Sequence, residues 1–320
     1  MPALDDLSIN FDQPDRKYLP GEKVSGEVTL LNTEPLAARF LKIYWSGIAK
    51  TDWFFCADTF TRKKFFSDYK IAWCSKDGSN KLPAGKHVFP FSFVLPEGCS
   101  PSISGKYANI AYCVRVVVDR PWKLSNFKLA KNFVVTQETD FSAEPEKLKS
   151  WWYSILSKSG LVFKDGLVKI KMKMPKVAFA PGESFTVKVL LENMSTKPIA
   201  SINIRLFRLC HAHSRPQLAP CKSPFSKECP LDLTRQKFES KEVATFKKLP
   251  FGVDAMSKKT LEFELKVPDD AVPSFRDSLM TVTYQICLDT PNNYPMYARF
   301  EVGELAEKTE KKDAPPPYQP

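Results

Sequence analysis

Hydrophobic and polar residues alternate along much of the chain, and this period of two predicts β-strands. Every second residue is apolar in 89–95 and again in 110–118. In 261–267 the intervening positions are glutamate or lysine, which is typical of an antiparallel strand with one buried and one solvated face. Pro-Gly pairs and short polar clusters separate these runs about every ten residues, so the pattern predicts β-sandwiches.

Two patterns occur twice along the chain, in the same order. YLPGEKVSGEVTLLN begins at Tyr18, and FAPGESFTVKVLLEN begins at Phe179. Later, FVLPEGCSPSISGKYANIAYCVRV begins at Phe93 and LKVPDDAVPSFRDSLMTVTYQICL at Leu265. The alignment of the later pair matches Pro96 with Pro268, Pro101 with Pro273, and Tyr112 with Tyr284. Because the repeat is far longer than that of a solenoid, it predicts two copies of one domain in tandem.

One segment, SAEPEKLKSWWYSILSKSG, departs from the alternation. Its apolar residues follow the i, i+3, i+4, i+7, i+8 spacing of one helical face: Leu148, Trp151, Trp152, Ile155 and Leu156. Ser142 is a candidate N-cap, Pro145 fits the first turn, and Gly160 is a candidate end, so we predict a short linker helix. Its apolar face either packs on a neighbouring sandwich, which we favour, or rests in an anionic membrane interface.

These patterns divide the chain into four parts and predict an all-β fold class. We predict an N-terminal β-sandwich at 1–141, a linker with the helix at 142–160, and a second sandwich at 161–303. The tail at 304–320 has almost no large apolar residues, mixed charge and then prolines. Such a composition cannot bury a core, so we expect the tail to be disordered.

Charge and composition narrow the class of protein. The formal net charge of +11 favours acidic or phosphate-bearing partners, but the lysines are dispersed and no nucleic-acid-binding signature occurs. We therefore predict no nucleic-acid partner. The start, MPALDDLSIN, does not resemble a signal peptide, no apolar run is long enough to span a membrane, and the 8 cysteines are irregularly spaced. We expect a cytoplasmic protein with reduced thiols.

No motif predicts catalysis or a cofactor. The chain lacks the serine-hydrolase elbow, the zinc-protease motif, the Walker loop and the kinase signatures, and has only three histidines. Its one metal-like cluster comprises Cys210, His211, His213, Cys221 and Cys229. Zinc accepts these ligand types, but the paired spacing of common structural zinc sites is missing. We therefore predict a strand end followed by a proline-rich loop and no metal site, a prediction that metal analysis decides.

Lys169, Lys171 and Lys173 alternate with apolar residues, so they share one face of a strand. Such a face commonly serves only to keep a strand soluble, and we favour that interpretation. Together with Trp151 and Trp152, the lysines are also candidates for contact with an anionic membrane surface or an acidic partner.

The tail carries a Pro-Pro-x-Tyr motif, the ligand of WW domains, at Pro315, Pro316 and Tyr318. Prolines hold the polyproline II conformation before binding, so little backbone entropy is lost when the segment docks. The prolines fit an aromatic-lined groove and the tyrosine ring fills a neighbouring pocket. The motif therefore predicts binding to a WW domain.

Several of these stretches resemble arrestin-domain proteins. In the first half they are YLPGEKVSGEV and LPAGKHVFPFSFVLPEGCSPSISGKYANIAYCVRVVVDRPW; in the second, FAPGESFTVKVLLENMSTKPI and VPDDAVPSFRDSLMTVTYQICL. With the Pro-Pro-x-Tyr motif, the chain resembles an α-arrestin. The resemblance implies two β-sandwiches that recognise membrane receptors or transporters. It also implies that Pro315, Pro316 and Tyr318 contact a HECT-type ubiquitin ligase through its WW domains, and it transfers no catalytic residue.

Two functions follow from these observations, and we favour the first. The chain is an adaptor, held peripherally at the plasma membrane or endosomes, that brings cargo to the ligase for ubiquitination, endocytosis and sorting. Alternatively, it is a scaffold or sorting-coat subunit of an endosomal complex in which the tail motif is incidental. A metal-dependent enzyme would rest only on the histidine–cysteine cluster and is disfavoured.

Overall fold

A computed structural model describes most of the chain, and nearly all of the described part is β-structure. The described residues are 4–53, 60–121, 125–139, 141–159, 165–218, 221, 229–231, 233–249, 252–291 and 295–303. Within these ranges the helical segments are two short 3₁₀-helices, Phe141–Ala143 and Pro145–Leu148, and neither has the length or apolar character needed to cross a bilayer.

The first half of the chain contributes eleven strands to one sandwich. They are β1 (Asp6–Phe11), β2 (Lys17–Tyr18), β3 (Lys23–Asn32), β4 (Leu36–Ala37), β5 (Phe40–Thr51), β6 (Thr61–Cys74), β7 (Lys81–Leu82), β8 (Gly85–Val94), β9 (Ile103–Ser104), β10 (Ala108–Asp119) and β11 (Phe127–Val135). One sheet has the order β1-β3-β8, the other has the order β2-β11-β10-β5-β6 with β9 added to β10, and β4 and β7 pair with each other. Val24 and Val28 of β3 share one buried cluster with Val114 and Val116 of β10, so the two sheets enclose the core.

The second half repeats the two-sheet arrangement with ten strands, and its smaller sheet has four strands where that of the first half has three. Its strands are β12 (Trp151–Ser159), β13 (Gly166–Met174), β14 (Ala178–Phe179), β15 (Ser184–Ser195), β16 (Ile202–His213), β17 (Gln236–Leu249), β18 (Ser257–Lys266), β19 (Phe275–Arg276), β20 (Met280–Asp289) and β21 (Met296–Val302). The sheets have the orders β12-β13-β15-β18 and β14-β21-β20-β16-β17, with β19 added to β20. The predicted all-β fold of two tandem β-sandwiches is confirmed.

The duplicated Pro-Gly-Glu motif forms the same turn in both sandwiches. Gly21 and Gly182 have φ of 82° and 78°, a left-handed conformation that glycine adopts without steric cost. In each copy the glutamate that follows accepts a hydrogen bond from the backbone N–H three residues earlier: Glu22 from Leu19 and Glu183 from Ala180, both at 2.8 Å. The motif therefore produces the same local geometry in both sandwiches.

The aligned tyrosines also occupy equivalent positions. The Tyr112 hydroxyl donates to the backbone oxygen of Ser100 at 2.6 Å, and the Tyr284 hydroxyl donates to that of Val272 at 2.8 Å. Each acceptor immediately precedes one of the matched prolines. Both rings are almost fully buried, and burial is the main reason why the pKa of each phenol is raised. Each tyrosine thus ties a central strand to the loop before it.

The predicted linker helix is wrong, because residues 151–159 form strand β12 at the edge of the second sandwich. Antiparallel pairing runs from Trp151 opposite Met174 to Ser159 opposite Gly166. The apolar residues fit both periods, and inter-strand pairing selects the period of two: Tyr153 and Ile155 pack against the core, while Trp152 and Leu156 point outward. Tertiary pairing has overridden the helical spacing.

Glu301 anchors the segment that joins the sandwiches. Its carboxylate accepts hydrogen bonds from Lys147 at 2.7 Å and from Arg276 at 2.6 Å. The backbone oxygen of Lys147 also accepts a hydrogen bond from the N–H of Val177 at 2.8 Å. The stretch preceding β12 is therefore held firmly against the second sandwich.

Replacing Glu301 with glutamine is expected to lower the free energy of unfolding by about 2 kcal/mol at neutral pH, since the amide loses two charge-assisted hydrogen bonds. Burial alone would raise the pKa of Glu301, but Lys147 and Arg276 outweigh it and hold that pKa below its ordinary value. A carboxyl with a depressed folded-state pKa stabilises the protein above its unfolded-state pKa and loses that effect as the pH falls through the folded-state value.

Chemical denaturation of both proteins should therefore show the difference at neutral pH and a shrinking difference in acid. The matched control is Glu264→Gln, which replaces an exposed glutamate of β18 for which no ion pair is seen in the described part of the chain. A difference that stays constant into acid would contradict the assignment to the carboxylate charge.

Candidate functional site

The residues predicted to bind a WW domain, Pro315, Pro316 and Tyr318, lie outside the described residues. Their proposed role therefore depends on the sequence motif. The other candidate residues, in the second sandwich, are all described.

Pairing of β12 with β13 places four of the five candidate contact residues on one face. Trp152 is opposite Lys173, Ser154 is opposite Lys171, and Leu156 is opposite Lys169. Residues directly opposite in an antiparallel pair share a face, so the two apolar side chains lie beside the three lysines. We call Trp152, Leu156, Lys169, Lys171 and Lys173 the basic face. Trp152 and Leu156 are each 57% exposed, so this face is amphipathic and open to solvent.

Trp151, the fifth candidate, belongs to the opposite side of β12. Its indole N–H donates to the backbone oxygen of Glu146 at 3.1 Å, which ties the strand to the preceding 3₁₀-helix. The two neighbouring tryptophans, which the helical pattern assigned to one surface, therefore have different surroundings. Only Trp152 presents its ring beside the lysines, with the Lys173 ammonium 5.6 Å from the ring centroid.

The three lysines of the basic face have no carboxylate within ion-pair distance in the described ranges, unlike their neighbours on the same sheet. Lys188 pairs with Glu262 at 2.8 Å, and Lys258 lies 3.7 Å from Glu192. Since the adjacent carboxylates are engaged elsewhere, the charges of Lys169, Lys171 and Lys173 remain available to an external anion.

A second cationic surface lies on the first sandwich, in a groove across the outer face of its larger sheet. Lys50 of β5, Arg62 of β6, Arg115 of β10 and Lys128 of β11 line it together with Tyr44 and small or apolar residues, and its described lining includes no carboxylate. We call this the N-terminal groove. Both sandwiches thus offer concentrated positive charge to an acidic partner.

A buried carboxylate joins the two sandwiches, and the sequence did not indicate it. Asp277, which precedes β20, accepts hydrogen bonds from the Lys63 ammonium at 2.5 Å and from the Ser100 hydroxyl at 3.1 Å, both in the first sandwich. It also accepts from the backbone N–H of Leu279 at 2.9 Å. Its side chain is only 6% exposed, so this ion pair is a specific connection across the interface.

The structure brings together four of the five metal-like residues. One ligand atom from each of His211, His213, Cys221 and Cys229 lies within 4.8 Å of the others. Cys210 is separate because successive side chains of β16 point to opposite faces, and it packs in the core cluster of the first sandwich. The sequence favoured a strand end followed by a proline-rich loop, and the structure places the two histidines and two cysteines together.

Burial is the main influence on the pKa of His213 in this cluster. Both histidines are 0% exposed. Desolvation, followed by the neighbouring His211, lowers the pKa of His213 to about 4, with the Ser278 backbone acting weakly in the other direction. The ring of His213 is therefore neutral at physiological pH.

Comparison with protein families accounts for both sandwiches. Residues 7–142 match the family described as "Arrestin (or S-antigen), N-terminal domain". Residues 164–293 match "Arrestin (or S-antigen), C-terminal domain". The two matches are adjacent and in order, and together they cover most of the chain.

Several curated proteins are similar to the chain over more than half of its length. Arrestin domain-containing protein 17 of Caenorhabditis elegans is 28% identical over 214 residues, which are 62% of this chain and 50% of that protein. Arrestin domain-containing protein 4 of Mus musculus is 27% identical over 56% of this chain and 46% of its own length. Human thioredoxin-interacting protein is 25% identical over 65% of this chain and 56% of its own length. The matched region thus spans about half the length of these relatives.

Proposed function

Because this chain belongs to the arrestin family, as an arrestin-domain protein of the α-arrestin type, we propose that it is a cytoplasmic adaptor. In this role it joins membrane receptors or transporters to a HECT-type ubiquitin ligase through the ligase's WW domains. The cargo is then ubiquitinated, endocytosed and sorted. The role is one of binding, and it assigns no catalytic step to this chain.

The observation that carries this proposal is the combination, on one chain, of two arrestin sandwiches and a Pro-Pro-x-Tyr motif. An adaptor of this kind works by proximity, since holding two partners on one chain raises the concentration of cargo lysines near the ligase. The sandwiches supply large rigid surfaces, and the motif supplies a short, conformationally restricted peptide.

The two cationic surfaces support a membrane-side location for the sandwiches. Inner leaflets of cellular membranes carry anionic lipids, and each lysine close to such a surface contributes about 1 kcal/mol of attraction. The basic face combines three lysines, for which no ion pair is seen among the described residues, with an exposed tryptophan whose ring is suited to the interfacial region. The N-terminal groove offers its four cations to acidic segments of cargo. We propose peripheral association at the plasma membrane or endosomes.

Titrating the full-length protein against WW domains of a HECT-type ligase tests the proposal. We expect Tyr318→Ala to weaken binding about thirtyfold or more, because a tyrosine that fills a pocket is typically a hot spot worth about 2 kcal/mol. Gln319→Ala, a neighbouring substitution outside the motif, is the matched control and should bind like the unchanged protein.

The same experiment separates the adaptor from the scaffold alternative. Deleting residues 315–318 should abolish ligase association and leave binding to anionic vesicles unchanged. If the unchanged protein itself failed to bind WW domains, the motif would be incidental, and the scaffold or sorting-coat function would become the better explanation.

A further inference from the structure

We propose that His211, His213, Cys221 and Cys229 bind one structural Zn²⁺ ion. Two imidazoles and two thiols whose ligand atoms all lie within 4.8 Å of one another can surround a single ion with little movement. Cys229 Sγ and His213 Nε2 lie 3.4 Å apart. Ligand atoms of a tetrahedral zinc site, each about 2.0–2.3 Å from the metal, are separated by a similar distance.

The ligand set suits zinc in a buried setting. Thiolate and imidazole together select Zn²⁺ among the common divalent ions, and four such ligands satisfy its tetrahedral preference. Cys221 and Cys229 would bind as thiolates and release their two protons to solvent, while both histidines bind as neutral rings. Two negative thiolates balance the charge of Zn²⁺, so the occupied site carries no net charge in a place where an uncompensated charge would be costly.

A chain of hydrogen bonds holds the ring of His211 in a fixed orientation, as is usual for a metal-binding histidine. Nε2 of His211 lies 2.9 Å from Oε1 of Gln236, and the Gln236 amide in turn donates to the backbone oxygen of Leu231 at 2.6 Å. That chain fixes the amide so that its oxygen accepts from the Nε2–H of His211, which sets the tautomer of this ring. A second hydrogen bond of this kind is a regular companion of zinc-bound histidine.

The surroundings of His213, the second histidine of the cluster, are also compatible with metal binding. The side chain is fully buried. Its Nε2 points at Cys229. Metal ligation through Nε2 would give this buried ring a strong interaction in place of a weak thiol contact.

The site would lie beside the ends of the β16–β17 connection, where described residues contact the first sandwich. Cys221 is held by the Thr281 hydroxyl, which donates to its backbone oxygen at 2.8 Å. From the first sandwich, Trp53 donates to the backbone oxygen of Thr234 at 3.1 Å, and Thr61 donates to that of Ser214. Zinc would therefore stabilise a loop that carries part of the contact between the two sandwiches.

Metal analysis of tag-free, full-length protein produced with zinc in the medium tests the proposal. We expect one Zn²⁺ per chain, and a large loss of zinc in Cys221→Ser/Cys229→Ser. The matched control, Cys74→Ser, replaces an exposed cysteine outside the cluster and should keep its zinc. Cobalt substitution should give the thiolate-to-metal charge-transfer band and the intense visible bands of tetrahedral Co²⁺, and the double variant should show neither.

Chelation distinguishes a binding site from a folding defect of the variants. Removing the metal from the unchanged protein should lower its thermal midpoint by roughly 5 °C, with recovery on adding Zn²⁺. Three results would overturn the proposal: substoichiometric metal in the unchanged protein, full zinc content in the double variant, or a Cys221–Cys229 disulfide in protein kept under reducing conditions.

Discussion

Asp277→Ala is expected to lower the free energy of unfolding by about 3 kcal/mol, the lower end of the range for removing one partner of a buried ion pair. The substitution leaves Lys63 and Ser100 of the first sandwich without their acceptor, and it also removes the acceptor of the Leu279 N–H. The lower end applies because the Lys63 side chain is 30% exposed, so water partly replaces the lost carboxylate. Urea denaturation followed by tryptophan fluorescence measures the change.

The control for this prediction is Asp269→Ala. Asp269 pairs with Lys266 at 2.9 Å, but its side chain is 78% exposed, and exposed pairs of this type contribute about 0.5 kcal/mol or less. Asp277→Asn should fall between the two alanine variants, since an amide oxygen still accepts hydrogen bonds but carries no charge. If Asp277→Ala matched Asp269→Ala, the ion pair would not be a significant connection between the sandwiches.

Simultaneous replacement of Lys169, Lys171 and Lys173 by glutamine is expected to weaken binding to phosphatidylserine-containing vesicles about a hundredfold. Each lysine near an anionic surface contributes about 1 kcal/mol, and about 3 kcal/mol corresponds to a factor of that size. Co-sedimentation with vesicles of phosphatidylcholine alone and of a phosphatidylcholine–phosphatidylserine mixture measures the effect. Binding of the unchanged protein should fall as salt is raised, because mobile ions screen exposed charges.

A second triple variant removes the same amount of charge from a neighbouring part of the sheet. Lys188, Lys258 and Lys266 each lie near a carboxylate, so their replacement by glutamine should weaken vesicle binding about tenfold or less. Equal losses in the two triple variants would mean that net charge alone attracts the protein. No binding of the unchanged protein to either vesicle would remove the membrane role from the basic face.

The elements with a clear local signal were predictable from the sequence. Alternation located the strands, and the repeated Pro-Gly-Glu and tyrosine motifs identified two copies of one domain, because each motif serves a local turn or a nearby hydrogen bond. Strand β12 was not predictable, since Trp151, Trp152 and Ile155 match helical spacing while Trp151, Tyr153 and Ile155 match the alternation of a strand. Only pairing with β13 decides between them, and pairing is not a property of the segment itself.

The candidate sites were predictable only where residues are close in sequence. The lysines of the basic face share one strand, so their common direction followed from alternation. By contrast, Lys63 and Asp277 lie 214 positions apart. His213, Cys221 and Cys229 are separated by stretches long enough that their spacing matches no common zinc motif, and only the folded chain shows that they converge.

Strand β12 also decides where the second sandwich can be separated from the rest of the chain. Proteolysis at residue 160 would strip this strand and leave the backbone N–H and C=O groups along one side of β13 without partners. An unprotected sheet edge of nine residues is a template for pairing with another chain, so the released piece would be prone to self-association. The smallest independent unit of the second sandwich therefore starts upstream of Trp151, and the connecting segment is part of it.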